Sequence, residues 1–249
     1  MKAYANYVLA RWPRLYLAVL RALRSQHVEK STFLRLVRNG DTVFDVGANR
    51  GVYTLLFSHL VGRHGQVHAF EPVRSTLEQL SARLSREQRH PNVTVNAMAL
   101  GDREISTVMH LPAGDDGQAS LRRHSAGSWE QNISERIPCS MATLDRYVDD
   151  AGLGHIDFIK MDVEGAELLA LRGGLETLNR FQPVLHMEYC RQWTVDFDYG
   201  AVELLSLLRG AGYRHFYLGD LTRLEDAESE LASSTHSENV VCSVEPLSA

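Results

Sequence analysis

Cysteine is scarce in this chain. There are three in 249 residues, Cys139, Cys190 and Cys242, and no C-x-x-C pair. A disulfide framework and a cysteine zinc site are therefore not expected, and a reduced, cytoplasmic setting is. An uncharged apolar run of about 18 residues is also missing, so no transmembrane helix is expected. The apolar stretch Leu15 to Leu20 is too short for a signal peptide, and Arg11, Arg14, Arg21 and Arg24 bracket it closely. There is no basic excess. Lys and Arg total 26 against 31 Asp and Glu, a formal charge of -5, which argues against a general nucleic-acid partner. No internal repeat is present. Acidic residues are absent before Glu29. Residues 1–39 thus read as an N-terminal helical extension that begins as a basic amphipathic helix. Its simplest role is to cap the domain, and the alternative is peripheral contact with an anionic membrane surface.

What is present is alternation. Short apolar runs at Thr42 to Val46, Gln66 to Phe70, Val93 to Ala97, Ile156 to Met161, Val184 to Glu188 and Tyr213 to Leu218 read as strands. Segments of helical spacing lie between most of them, at Val52 to Val61, Ser75 to Leu84, Thr143 to Asp150, Ala166 to Leu171 and Val202 to Ala211. Ser75 with Glu78 three residues on has the pattern of a capping box. Ser106 to Leu111, Arg136 to Met141 and Val240 to Val244 read as further strands, and Leu224 to Asn239 as a polar loop with a marginal helix. The expected fold is an α/β, doubly wound, mainly parallel sheet of Rossmann-like type. Residues 40–249 form one domain, with an irregular insertion at about 112–135.

In such a sheet, ligands sit beyond the carboxyl ends of the strands. The loop after the first strand is Gly47-Ala48-Asn49-Arg50-Gly51, and a helix start follows at Val52. A helix N-terminus favours a carboxylate or phosphate. Asp45, just before the loop, would repel a pyrophosphate but could pair with an ammonium group. Carboxylate and ammonium together describe the amino-acid end of S-adenosylmethionine. The absence of G-x-G-x-x-G weighs against the nearest rival, an NAD-linked oxidoreductase. Glu71 ends the second strand, 26 residues after Asp45, where an acid accepts hydrogen bonds from ribose hydroxyls. Met98 and Ala99, after the third strand, would border the adenine. The fourth strand runs into the acidic block Asp162, Glu164 and Glu167, and the fifth ends in His186-Met187-Glu188, whose His and Glu share a face.

These pieces resemble the FkbM-type methyltransferases. The resemblance rests on Phe44-Asp45-Val46-Gly47-Ala48-Asn49-Arg50-Gly51, Phe70-Glu71-Pro72, Thr143-Leu144-Asp145 and, most specifically, Asp157-Phe158-Ile159-Lys160-Met161-Asp162-Val163-Glu164-Gly165-Ala166-Glu167. It covers about residues 40–190. It implies a class I methyltransferase fold, S-adenosyl-L-methionine as donor, and O-methylation of a sugar, glycolipid or polyketide-type hydroxyl. Asp45, Gly47, Asn49, Gly51 and Glu71 would hold the cofactor, with Ala48, Tyr53, Pro72, Met98, Ala99, Met161 and Asp162 completing the set.

Methyl transfer to an alcohol needs an aligned acceptor and removal of its proton. Asp162, Glu188 and His186 are the candidates for that work. Asp162 and Glu188 could instead hold Mg2+, with base catalysis free of metal as the first expectation. Ser120, Arg122, Arg123, His124 and Trp129, in the insertion, are candidates for an acceptor lid. A non-catalytic nucleoside-binding module is the remaining alternative.

Overall fold

In the computed structural model, which describes residues 28–87, 90–112, 116–125, 129 and 135–247, a helix leads into the first strand. The basic segment before Val28, and with it the expectation of membrane contact, lies outside the described residues. Among those described, no helix is long and apolar enough to cross a membrane. In chain order the elements begin with α1 (Val28–Leu36), β1 (Thr42–Val46), α2 (Val52–Val61), β2 (Gln66–Phe70), α3 (Arg74–Glu87), β3 (Val93–Asn96), β4 (Ala99–Leu100), β5 (Ile105–Leu111) and β6 (Glu135–Ala142). There follow α4 (Leu144–Asp150), β7 (Phe158–Met161), α5 (Glu167–Arg172), α6 (Leu175–Phe181), β8 (Val184–Tyr189) and α7 (Arg191–Thr194). The last are α8 (Ala201–Gly210), β9 (His215–Leu218), α9 (Ala227–Ser233) and β10 (Glu238–Ser243).

The main sheet has seven strands in the order β3-β2-β1-β7-β8-β10-β9. All neighbours are parallel except β10, which runs against both β8 and β9. The order reverses at β1: successive strands leave it first on one side and then on the other. That reversal opens a crevice beyond the carboxyl ends of β1 and β7, the place where ligands bind in open α/β sheets.

Register decides which side chains meet there. Asp45 pairs with Lys160, which pairs with His186. With a period of two, Asp45, Lys160, Asp162, His186 and Glu188 therefore share one face. The other face carries Phe44, Val46, Ile159, Met161, Leu185 and Met187 into the largest apolar cluster. On the polar-bearing face the base of the sheet is apolar too. Phe33 of α1 packs edge-on to Phe57, Phe158 and His186, with centroids 4.9, 5.8 and 4.7 Å apart. The described part of the N-terminal extension is thus an integral layer of the core.

Three features differ from the sequence reading. Ser75 does not cap α3. The helix starts a residue earlier at Arg74, and Glu78 pairs with the Arg74 guanidinium (3.0 Å) across one turn. Strands β4, β5 and β6 form a separate sheet in the order β4-β6-β5, with β5 and β6 antiparallel. The C-terminal polar region holds a full helix, α9, capped by Asp226, whose side chain accepts from the Ser229 N–H.

Gly47 tests how tightly the crevice is built. Its φ is 76°, and a Cβ added there would overlap the backbone carbonyl oxygen of Asp162. Gly40 has φ 96° but open space around it. Gly40→Ala should cost about 1–2 kcal/mol from backbone strain alone. Gly47→Ala should cost clearly more, because a backbone oxygen of a central strand end cannot move aside. Urea unfolding of the two variants measures the difference, and equal losses would show that β1 and β7 are looser than described.

Candidate functional site

The crevice is a cavity of about 390 Å³, inside the usual range for small-ligand sites. Its floor is the glycine loop. Nearly every loop amide already has an internal partner: Gly47 and Ala48 both donate to Phe70 O (3.1 and 2.9 Å), Asn49 to Glu71 Oε2 (2.9 Å), and Arg50 to the Asn49 side chain (2.7 Å). The loop is thereby a rigid ledge rather than a source of free donors. The donors that face a ligand belong to α2, whose N-cap, Gly51, contributes no side-chain cap. Val52 and Tyr53 of its first turn line the cavity. An uncapped turn of this kind fits the carboxylate of an amino acid.

Beneath the ledge lies a buried ion cluster. Lys160, 3% exposed, has its Nζ 3.6 Å from Asp45 Oδ1 and 3.4 Å from Asp162 Oδ2, and donates to Gly47 O at 3.1 Å. Burial pulls the lysine pKa down, but the two carboxylates outweigh it and hold the ammonium charged. Asp45 is fully buried and also accepts from Thr54 Oγ1 (2.6 Å). The ammonium that Asp45 pairs with is therefore that of Lys160, not of a ligand, which corrects the sequence expectation. Asp162, with its side chain 39% exposed, lines the cavity and is the carboxylate of the cluster left open to a ligand. Lys160 went unassigned in the sequence. Its signal was a lone cation inside the apolar run Phe158 to Met161 of a central strand.

Glu71 is 6% exposed and lines the cavity at the end of β2. Its two oxygens accept from the N–H groups of Asn49 (2.9 Å) and Val73 (2.8 Å). A carboxylate keeps further lone pairs after two such bonds, so it both fixes the loop and remains able to accept from ribose hydroxyls. Burial lifts its pKa to about 7, against the pull of the Val73 and Asn49 amides. Ala48, Asn49, Pro72, Met98 and Ala99 line the same cavity. Met98, Leu100, Met109 and Leu121 make its apolar side, suited to a purine. Two expected cofactor residues stand behind the wall instead. Met161 is fully buried in the apolar cluster of the opposite face, and Gly51 packs against Leu80.

The acidic block forms the turn from β7 into α5. Glu167, 1% exposed, turns back on this turn, its Oε1 accepting from Val163 N–H (3.1 Å) and Gly165 N–H (3.4 Å). Tyr199 Oη lies 3.1 Å from its other oxygen. Burial lifts Glu167 to about 7. Glu164 lines the cavity, and its carboxylate oxygen lies within 4.8 Å of oxygens of Asp162 and Glu188. Glu188 does not line the cavity but borders its acidic end. Ser237 Oγ donates to it at 2.5 Å, and burial together with the Asp162 charge raises it to about 7.

His186 is not brought to the site. It is 1% exposed beneath Phe33, neither ring nitrogen has a hydrogen-bond partner among the described residues, and burial lowers its pKa to about 4. A base must reach the acceptor proton, so His186 is withdrawn from that role. The insertion residues also differ from the acceptor lid that was expected. Arg122 bridges Asp196 O and Asp198 (2.7 Å to Oδ2) on the outer surface. Trp129 is fully buried with Cys190 and Trp193, and Ser120 and His124 are buried behind the cavity wall. Gly117, Ala119 and Leu121 line the cavity instead.

This strand order, with a glycine ledge after β1, an acid ending β2 and an acidic turn after β7, defines a class I S-adenosylmethionine-dependent methyltransferase. The Methyltransferase FkbM domain matches residues 45–215, and the chain belongs to that family. It is 29% identical over 198 residues to the 31-O-demethyl-FK506 methyltransferase FkbM of Streptomyces tacrolimicus, covering 71% of this chain and 74% of that one. It is 30% identical over 181 residues to the 2-O-methyltransferase NoeI of Sinorhizobium fredii, covering 68% and 71%. Among solved structures, the methyltransferase FkbM from Methylobacillus flagellatus aligns with a TM-score of 0.52 at 19% identity. That alignment covers 82% of this chain and 43% of the Methylobacillus chain, so this chain spans less than half of that protein.

Two measurements test the site. Lys160→Met should destabilise the fold by about 3–5 kcal/mol, because Asp45 would be left buried without its counter-charge. Combining it with Asp45→Asn should recover part of that loss in urea unfolding, and strict additivity would show that the pair is not coupled. S-Adenosylhomocysteine affinity should respond to Glu71 ionisation. Ribose hydroxyls donate to the charged carboxylate, so affinity should hold above pH 7 and weaken as pH falls through about 7. Calorimetry should show that dependence flattened in Glu71→Gln, whereas an unaltered profile would place the ribose elsewhere.

Proposed function

We propose that this methyltransferase acts on a hydroxyl oxygen of a small molecule of the sugar, glycolipid or polyketide type. The observation that carries the reading is a pair of carboxylates at the acidic end of the cofactor cavity. Asp162 faces into the cavity, and Glu188 lies beside it with a pKa near 7. Both curated relatives described above are named as methyltransferases of an oxygen position, which supports the same reading.

S-Adenosylmethionine supplies an electrophilic methyl group. The chain supplies orientation and a proton acceptor. The α2 N-terminus and Asp162 would hold the two ends of the donor's amino acid, and Glu71 would hold the ribose. The Glu188 carboxylate would take the proton that the acceptor hydroxyl gives up on methylation. A base with a pKa near 7 is well matched to neutral pH.

The test is a labelled-methyl transfer screen over glycans, polyketides and small phenols. With an acceptor in hand, Glu188→Gln should lower kcat by about 10²-fold or more while S-adenosylhomocysteine affinity changes little. In the parent protein kcat should rise as pH increases through about 7, since the ionised form is the base. Activity is expected to survive metal stripping, and a loss restored by Mg2+ would replace the carboxylate base with a metal held by Asp162, Glu164 and Glu188.

A further inference from the structure

Glu164 occupies a conformation that its side chain does not favour. Its φ is +53°, in the left-handed region, and it sits in the turn that borders the cavity. Such residues persist only where surrounding contacts hold them, and they concentrate at functional sites. Here the contacts come from the insertion. Ser120 Oγ donates to the Glu164 carbonyl oxygen at 2.8 Å, and His124 Nε2 lies 3.0 Å from the same oxygen.

Each of these two residues is itself fixed. Ser120 pairs with His110 of β5 through two backbone bonds, of 2.8 and 3.0 Å, which adds one rung to the small sheet. Its neighbours Ala119 and Leu121 line the cavity together with Met109 of β5. His124 is 2% exposed, with its ring 4.3 Å from that of Trp193 and 5.2 Å from that of Trp129. Its Nδ1 lies 3.0 Å from Asp196 Oδ2. Both of its partners are acceptors, so the neutral ring donates to one of them at a time. Burial lowers the pKa of the ring, against the pull of Asp196 and the Glu164 carbonyl.

We propose that Ser120 and His124 are positioning residues of the cofactor site. By holding the Glu164 carbonyl, they press the stretch Ala119–Leu121 into place as the apolar wall of the nucleoside slot. They also fix the turn that carries Asp162 and Glu164. Residues 119–124 of the insertion then belong to the cofactor half of the site, not to the acceptor half. This inference rests on the cavity taking the nucleoside of the methyl donor, and it is independent of the acceptor.

The test is calorimetry on the full chain with S-adenosylhomocysteine and with 5′-methylthioadenosine, which keeps the nucleoside and lacks the amino-acid end. Ser120→Ala and His124→Ala should each weaken both ligands by a similar factor, about tenfold. His124→Gln, which keeps an N–H near the Nε2 position, should recover most of that loss. Amide exchange in the 161–168 segment should quicken in the two alanine variants and slow again in His124→Gln. Unchanged affinities in folded Ser120→Ala and His124→Ala would overturn the proposal. So would a loss confined to S-adenosylhomocysteine, or one that His124→Gln leaves untouched. Should His124→Ala fail to fold, Ser120→Ala, which removes only a hydroxyl, decides. A parent protein that binds neither ligand would sink the cofactor reading itself, an outcome separate from any behaviour of the variants.

Discussion

One ammonium group organises the carboxyl end of the sheet. Lys160 stands between Asp45 and Asp162 and also reaches the Gly47 carbonyl, so it ties the end of β1, the glycine ledge and the end of β7 to a single charge. Each partner would be costly in that place without it. Asp45 is fully buried, and an isolated buried carboxylate would have to give up its charge. Replacing the whole cluster by apolar side chains could hold the strands together as well, or better. What it could not do is leave one carboxylate, that of Asp162, partly open to a ligand at a fixed position.

Around this centre the site divides by chemistry. One part of the cavity offers an uncapped helix turn and a paired carboxylate, another Glu71 and an apolar wall. The acidic end beyond collects Asp162, Glu164 and Glu188, with oxygens within 4.8 Å of one another. Burial first, and the neighbouring Asp162 charge second, raise the pKa of Glu188.

The parallel core and the cofactor ledge were legible in the sequence because they depend on local pattern. The runs Thr42 to Val46 and Gln66 to Phe70 end where the strands end. Glu71 and the loop were readable because their chemistry follows from their place at those ends. Other features depend on partners remote in sequence, and these were not readable. Asp45 looked like a ligand acid because nothing local shows that Lys160, 115 residues further on, pairs with it. His186 looked like a base because its burial depends on Phe33 of a helix more than 150 residues earlier. The small sheet was hidden for the same reason. The β5–β6 pairing closes around the insertion, and alternation along the chain says nothing of which strands share a sheet.

That small sheet has a consequence for how the protein can change over time. The floor of the cavity belongs to the seven-stranded sheet, while Met109, Ala119 and Leu121 hang from a separate hydrogen-bonded unit. Mutations in the β5–β6 hairpin can therefore alter the fit around the donor without disturbing the register of β1 and β7. In evolutionary terms, the part of the pocket free to drift is carried by its own hydrogen-bonded unit, and the carbonyl of Glu164 is where it joins the part that must stay fixed.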